Sequence, residues 1–125
     1  MMLMYRDFAA GAALYPLVEL VWRGRTHPAM ALAGGASLCA LRQLNTAMKN
    51  RPLWQASLLG GVSITGIEYL CGRVFNRRYQ IWDYRHAPLN LRGQICAPYT
   101  LAWCGLSAAA LGCMRLKNYS SLSKI

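Results

Sequence analysis

The sequence predicts an all-α fold: an integral membrane bundle of about four transmembrane helices, with a long polar connector between helices three and four. Three observations point there. Hydrophobic residues make up 55% of the 125-residue chain. Charged residues make up only 14%, where a soluble domain carries about a quarter. The apolar residues fall into four runs, divided by two short basic connectors and one long polar one. At this length the chain forms one domain over residues 1–114, with a polar tail at 115–125.

The first run covers residues 8–22 and has the length of a signal-peptide core. Glu19 inside it, and Asp7 beside Arg6 at its start, do not fit a basic leader. It therefore reads as a retained span. The second run covers 28–41 and extends toward Met48. Pro28 suits a first helical turn, and His27 before it suits a cap. The third and fourth runs, 53–72 and 95–114, reach the ~20 residues that a bilayer crossing requires. The first two are shorter and need tilt or local thinning. Arginines and Trp22 flank them as interfacial anchors do. The competing reading is a soluble bundle, because short apolar runs also form core helices. Small residues recur at Gly34 and Gly35, at Gly60 and Gly61, and at Gly105, Ala109 and Gly112. Such positions let helices approach closely. The serine-rich tail reads as frayed.

The net charge of +10 comes from 14 Lys and Arg against four acidic residues. The basic residues sit in connectors and tails without forming a stripe, which suits lipid head groups and argues against nucleic acid. Cys39, Cys71, Cys96, Cys104 and Cys113 are odd in number and form no C-x-x-C. They read as buried apolar residues, with neither a disulfide framework nor a metal site. Orientation stays open: six Lys and Arg fall on the side of the termini and seven arginines on the other.

Counting spans places the polar groups on one side. The end of run one, the first connector, the end of run three and the start of run four share a membrane face. Helical steps of three and four put Gly11, Tyr15, Glu19 and Arg23 on one stripe. They do the same for Gly61, Thr65, Glu68 and Gly72, and for Cys96, Thr100, Trp103 and Ser107. A carboxylate at mid-bilayer costs roughly 2.5–3.5 kcal/mol, so Glu19 and Glu68 require a partner or a wet cavity. Candidate ligand-binding residues are Glu19, Arg23, His27, Glu68, Trp82, Asp83, Tyr84, Asn90, Gln94 and Trp103, with the connector over 81–96 as a lid. Plainer readings stand beside each. The glutamates could be ion-paired latches, Trp82 and Tyr84 anchors, Asp83 and Asn90 turn formers, and His27 a cap.

At these residues the chain resembles the bacterial membrane family described as Putative ABC-transporter type IV, the CmpB-like type. The resemblance rests on residues 19–27, Met30, Gly34-Gly35, residues 64–68, Gly72, Asn76, Trp82-Asp83-Tyr84, Pro88, Asn90, residues 93–96 and Trp103. It spans roughly residues 15–107. Arg85 stands where a serine is usual, and Pro28 and Ala97-Pro98 replace bulkier residues. The resemblance implies a multi-pass protein of the bacterial plasma membrane with a one-sided site.

Three functions follow as expectations. The first is a small permease-type subunit that binds or helps move a small polar ligand. The second is an enzyme acting on lipid or prenyl head groups, with Glu68, His27 or Cys96 as acid, base or nucleophile. The third is a non-catalytic scaffold. No G-x-x-x-x-G-K-[ST], G-x-S-x-G or H-E-x-x-H occurs, so no enzyme template or cofactor is indicated. The expected partners are the lipid bilayer, further copies of the chain or other membrane subunits, and the ligand.

Overall fold

A computed structural model describes the backbone of residues 2–24 and 26–123 and the side chains of residues 5–21, 24 and 26–117. Four helices fill it: α1 Met2–Arg23, α2 Pro28–Ala47, α3 Leu53–Phe75 and α4 Ala97–Ser123. Two short strands, β1 Asn90–Leu91 and β2 Ile95–Cys96, pair antiparallel in the connector before α4.

The helices begin and end where local chemistry dictates. His27 is extended, and its Nδ1 accepts the Ala29 N–H at 3.1 Å. Pro28 follows in the first turn, where a missing N–H costs nothing. α3 starts after Pro52 and stops at Asn76, whose N–H reaches back to the Gly72 carbonyl at 2.9 Å. α1 starts at Met2, ahead of its apolar run, and α4 continues beyond Met114 through the tail to Ser123. Hydrogen bonding along the backbone carries both helices past the apolar boundary.

The all-helical class is as expected, yet among the described helices only α3 is long and apolar enough to cross a membrane by composition. The fourth segment was expected to qualify as well. Pro98, Tyr99, Thr100, Trp103 and Ser107, all of low hydropathy, fall inside its apolar run.

Neighbouring helices pack in sequence order. α1 lies on α2 at Gly11 and Gly34, where a Cβ on either glycine would strike the other's carbonyl oxygen. α3 lies on α4 at Gly61, where a Cβ would meet the backbone of Cys104 at 2.8 Å. The outcome for the fourth stripe is different. Gly105 and Ala109 face outward with nothing near Gly105, while Cys104, Ser107 and Leu111 form the contact face instead. The reason is rotational. Thr100, Trp103 and Ser107 already claim the inner side of α4, and the small residues fall beside them.

One core cluster sits at the connector end, with Met30, Ala33, Cys71, Trp82, Tyr84 and Cys96. A second, at the other end, gathers Leu41, Ala56, Ile64, Leu111 and Met114. The far end is closed by charge. Arg42 donates from Nε to the buried Asp7 carboxylate at 2.9 Å. Arg115 Nη2 donates to the Met48 and Arg51 carbonyls at 3.0 and 2.9 Å.

Candidate functional site

The connector is organised by one asparagine. Asn76 Oδ1 accepts the N–H groups of Ile81 and Trp82 at 2.8 and 3.2 Å. Its Nδ2 donates to the Trp82 carbonyl at 2.6 Å and to Gln94 Oε1 at 2.9 Å. Gln94 Nε2 returns a bond to the Asn76 carbonyl at 3.0 Å, and Trp82 Nε1 donates to the Gln94 carbonyl at 2.8 Å. Asn76 and Gln94 are only 1% and 2% exposed, so every lost bond would leave a buried polar group stranded. Gly72 makes room, since a Cβ there would run into the Gln94 carboxamide.

The rest of the connector folds back on itself. Gln94 N–H bonds the Leu91 carbonyl at 3.1 Å, and the two residues between, Arg92 and Gly93, have φ of 53° and 68°. Two consecutive positive φ angles are what a type I′ hairpin turn requires. Asn90 Nδ2 donates to the Ala87 carbonyl at 3.0 Å and its Oδ1 accepts the Gly93 N–H at 3.0 Å. Arg85 makes a two-point pair with Asp83, at 2.9 and 2.7 Å, and lies over the Tyr79 ring at 4.3 Å. Asp83 and Asn90 are thus turn formers.

Hydrogen bonds from the Arg85 side chain and backbone hold the Asp83 carboxyl down to about 2, below its ordinary 3.8. The same bonds raise the Arg85 guanidinium. A carboxyl depressed by folding contributes stability that is fully present above its ordinary value and is lost as pH falls through the depressed one. The Asp83 carbon resonance is therefore expected to titrate near pH 2 in the wild type and to return toward 3.8 in Arg85→Gln. An unchanged midpoint in that variant would remove the pair as the cause.

Between α3 and α4 the predicted stripes do face each other. Thr65 Oγ1 donates to Thr100 Oγ1 at 3.0 Å, and Thr100 donates onward to the Cys96 carbonyl at 3.0 Å. Trp103 Nε1 donates to Glu68 Oε2 at 3.1 Å, with Glu68 only 5% exposed. Tyr15 of α1 packs on Trp103 with ring centres 5.7 Å apart, and Tyr99 stacks on Tyr84 at 4.8 Å. These groups seal the helix interface.

A cavity of about 420 Å³ opens at the connector end of the helices. Its polar lining is Glu19, Thr26, His27, Arg77, Arg78 and Gln80, and its apolar wall is Met30, Val74, Phe75 and Ile81. The C-terminal part of α1, the α2 cap and the end of α3 meet there, on the face that span counting singles out. Because the His27 Nδ1 accepts from Ala29, its neutral ring carries the proton on Nε2 and remains a donor.

Of the ten candidate ligand residues, the cavity takes Glu19 and His27. Glu68, Trp82, Asp83, Tyr84, Asn90, Gln94 and Trp103 do not line it, and the Arg23 side chain lies outside the described residues. Residues 82–96 form a folded hairpin against α3 and α4, and the connector contributes Arg77, Arg78, Gln80 and Ile81 to the lining. The three candidate catalytic residues occupy different settings. His27 caps α2 at the cavity, Glu68 is bonded to Trp103, and Cys96 is buried in β2. Sequence reasoning missed Asn76 as the hub and Arg77 and Arg78 as cavity walls. The signal for the latter was two adjacent arginines just past the end of an apolar run. Among the described residues no three His, Cys, Asp or Glu side chains converge as a metal site would require.

The model of the family described as Putative ABC-transporter type IV matches residues 26–124. No curated protein and no solved structure matches the chain.

Proposed function

Because the chain belongs to the Putative ABC-transporter type IV family, we infer that it is a membrane subunit of permease type. In this reading all four helices cross the plasma membrane, and the one-sided cavity binds a small polar ligand. The single observation that carries the ligand reading is the cavity itself. At about 420 Å³ it lies within the usual ~300–1,000 Å³ of small-molecule sites, and it mixes an apolar wall with convergent polar groups. Glu19 offers an acceptor, and His27 and the arginines offer donors.

Four crossings draw support from length and surface. Every helix has at least 20 residues, or about 30 Å at 1.5 Å per residue. Large apolar side chains point outward from each of them, including Val21 on α1, Leu32 on α2, Val62 on α3 and Leu101 on α4. Apolar surface of that extent needs cover, and lipid supplies it. The Asp7–Arg42 pair lowers the cost of bringing two charges close to the bilayer. This chain carries no nucleotide-phosphate loop, so ATP hydrolysis would come from a partner subunit.

Two measurements test the reading. Topology reporters fused after Gly24, Asn50 and Arg85 are expected to place the first and third on one side and the second on the other. All three on one side would end the four-span assignment. Native mass spectrometry of the detergent-solubilised chain is expected to show a retained small ligand that disappears in Gln80→Trp, which fills the cavity from an exposed position. Equal retention in both proteins would end the binding assignment.

A further inference from the structure

We propose that the cavity is built for a phosphate ester carried on an amphiphile, a deeper version of the ligand reading and dependent on it. Two guanidinium groups, Arg77 and Arg78, line the same cavity. Arg77 uses only Nε internally, donating to the Arg73 carbonyl at 2.9 Å. Arg78 makes no hydrogen bond or ion pair among the described residues, so its whole fork is available. Against these two cations the lining holds one carboxylate, Glu19, which leaves the site net positive. Planar guanidinium forks match the oxygen geometry of phosphate, and the excess of positive charge in the lining favours an anion. The His27 Nε2–H adds a neutral donor on the same wall.

The apolar side of the cavity indicates an attached chain. Val74 and Phe75 line it and are also 62% and 48% exposed, so they belong both to the cavity and to the outer surface. Leu70, one turn earlier on the Val74 face of α3, is exposed as well. An acyl or prenyl tail leaving the cavity over Val74 and Leu70 would run down the outer face of the most apolar helix. A basic pocket at the end of a span, beside a lipid-facing path, is the arrangement that recognises phosphate head groups at a bilayer surface.

The test is native mass spectrometry of the full chain in neutral detergent. The probes are phosphatidylglycerol, glycerol 3-phosphate, a diacylglycerol with the same tails and a cationic amphiphile of equal chain length. We expect saturable binding of one phosphatidylglycerol, weakened about tenfold in the double variant Arg77→Gln/Arg78→Gln. Arg92→Gln, in the same connector but outside the cavity, should bind as the wild type does. Tighter binding of the lipid than of glycerol 3-phosphate identifies a membrane amphiphile, and equal binding identifies a soluble phosphate ester; both uphold phosphate recognition. Binding that ignores the double variant, or that falls equally in Arg92→Gln, overturns it. A cationic amphiphile or diacylglycerol displaced by Gln80→Trp, without phosphatidylglycerol binding, overturns the phosphate inference and leaves the ligand cavity standing. Failure of every probe, together with equal ligand retention in wild type and Gln80→Trp, removes both.

Discussion

Asn76→Ala is expected to destabilise the protein by about 3–5 kcal/mol, the largest effect of any single side-chain truncation in the connector. The substitution strands the Trp82 carbonyl and Gln94 Oε1 without their donor, and the Ile81 and Trp82 N–H groups without their acceptor. Each buried orphan costs about 1–3 kcal/mol, and partial relaxation keeps the sum below the simple total. Asn76→Asp keeps the acceptor and loses both donations, so it should fall between wild type and alanine. The measurement is chemical unfolding in detergent followed by tryptophan fluorescence, with Trp82 as the reporter inside the network. Ligand retention should fall in parallel, because Gln80 and Ile81 are held in the cavity wall by the turn that Asn76 closes. An alanine variant as stable as the wild type would show that the hub does not organise the connector.

Gly11→Val is expected to be the most damaging substitution between helices. A Cβ at this position would collide with the Gly34 carbonyl, which belongs to helix backbone and cannot rotate away. The helices must then separate, at a cost of about 1–3 kcal/mol or more, since overpacking a close contact strains whole elements. α1 carries Tyr15 and Glu19 one and two turns further on, so the Tyr15–Trp103 contact and the cavity wall shift with it. Gly105→Ala supplies the contrast. It has open space around it and should be neutral or slightly stabilising, through the lower chain entropy of alanine. Unfolding midpoints of the two variants decide the matter. Equal midpoints would mean that α1 and α2 do not rely on this approach.

Much of the candidate site could be read from residue spacing. Steps of three and four placed Thr65 and Glu68 on one stripe of α3 and Thr100 and Trp103 on one stripe of α4, and these side chains do meet. Pro28 after His27 marked a helix start, and the histidine caps it. Turn chemistry at Asp83 and Asn90 was legible as an alternative to ligand binding, and the connector uses both that way: Asp83 Oδ1 accepts the Arg85 N–H and Asn90 Oδ1 the Gly93 N–H. The hairpin itself was hidden, because its turn is Arg92-Gly93 where a sequence signal would be Asn-Gly.

Pairings between distant residues were not legible. Asp7 reads as a neighbour of Arg6, yet its partner is Arg42 on another helix. Arg77 and Arg78 count as connector charges until the end of α3 brings them opposite Glu19 and His27. Gln94 and Glu68 look alike as polar groups near a span, and both are consumed in helix and connector contacts.

By itself, then, the sequence determined four helices, the stripes of α3 and α4 that face each other, and the placing of Glu19 and His27 at the same end as the long connector. Those follow from local geometry: the 3.6-residue period, caps, and the parity of helices joined by short connectors. Only the tertiary structure decided which polar groups of 76–96 satisfy one another and which line an open space. That choice depends on the register between α3, α4 and the connector, set here by close approaches such as Gly61 with Cys104 and Gly72 with Gln94, and one residue of slip would exchange the partners.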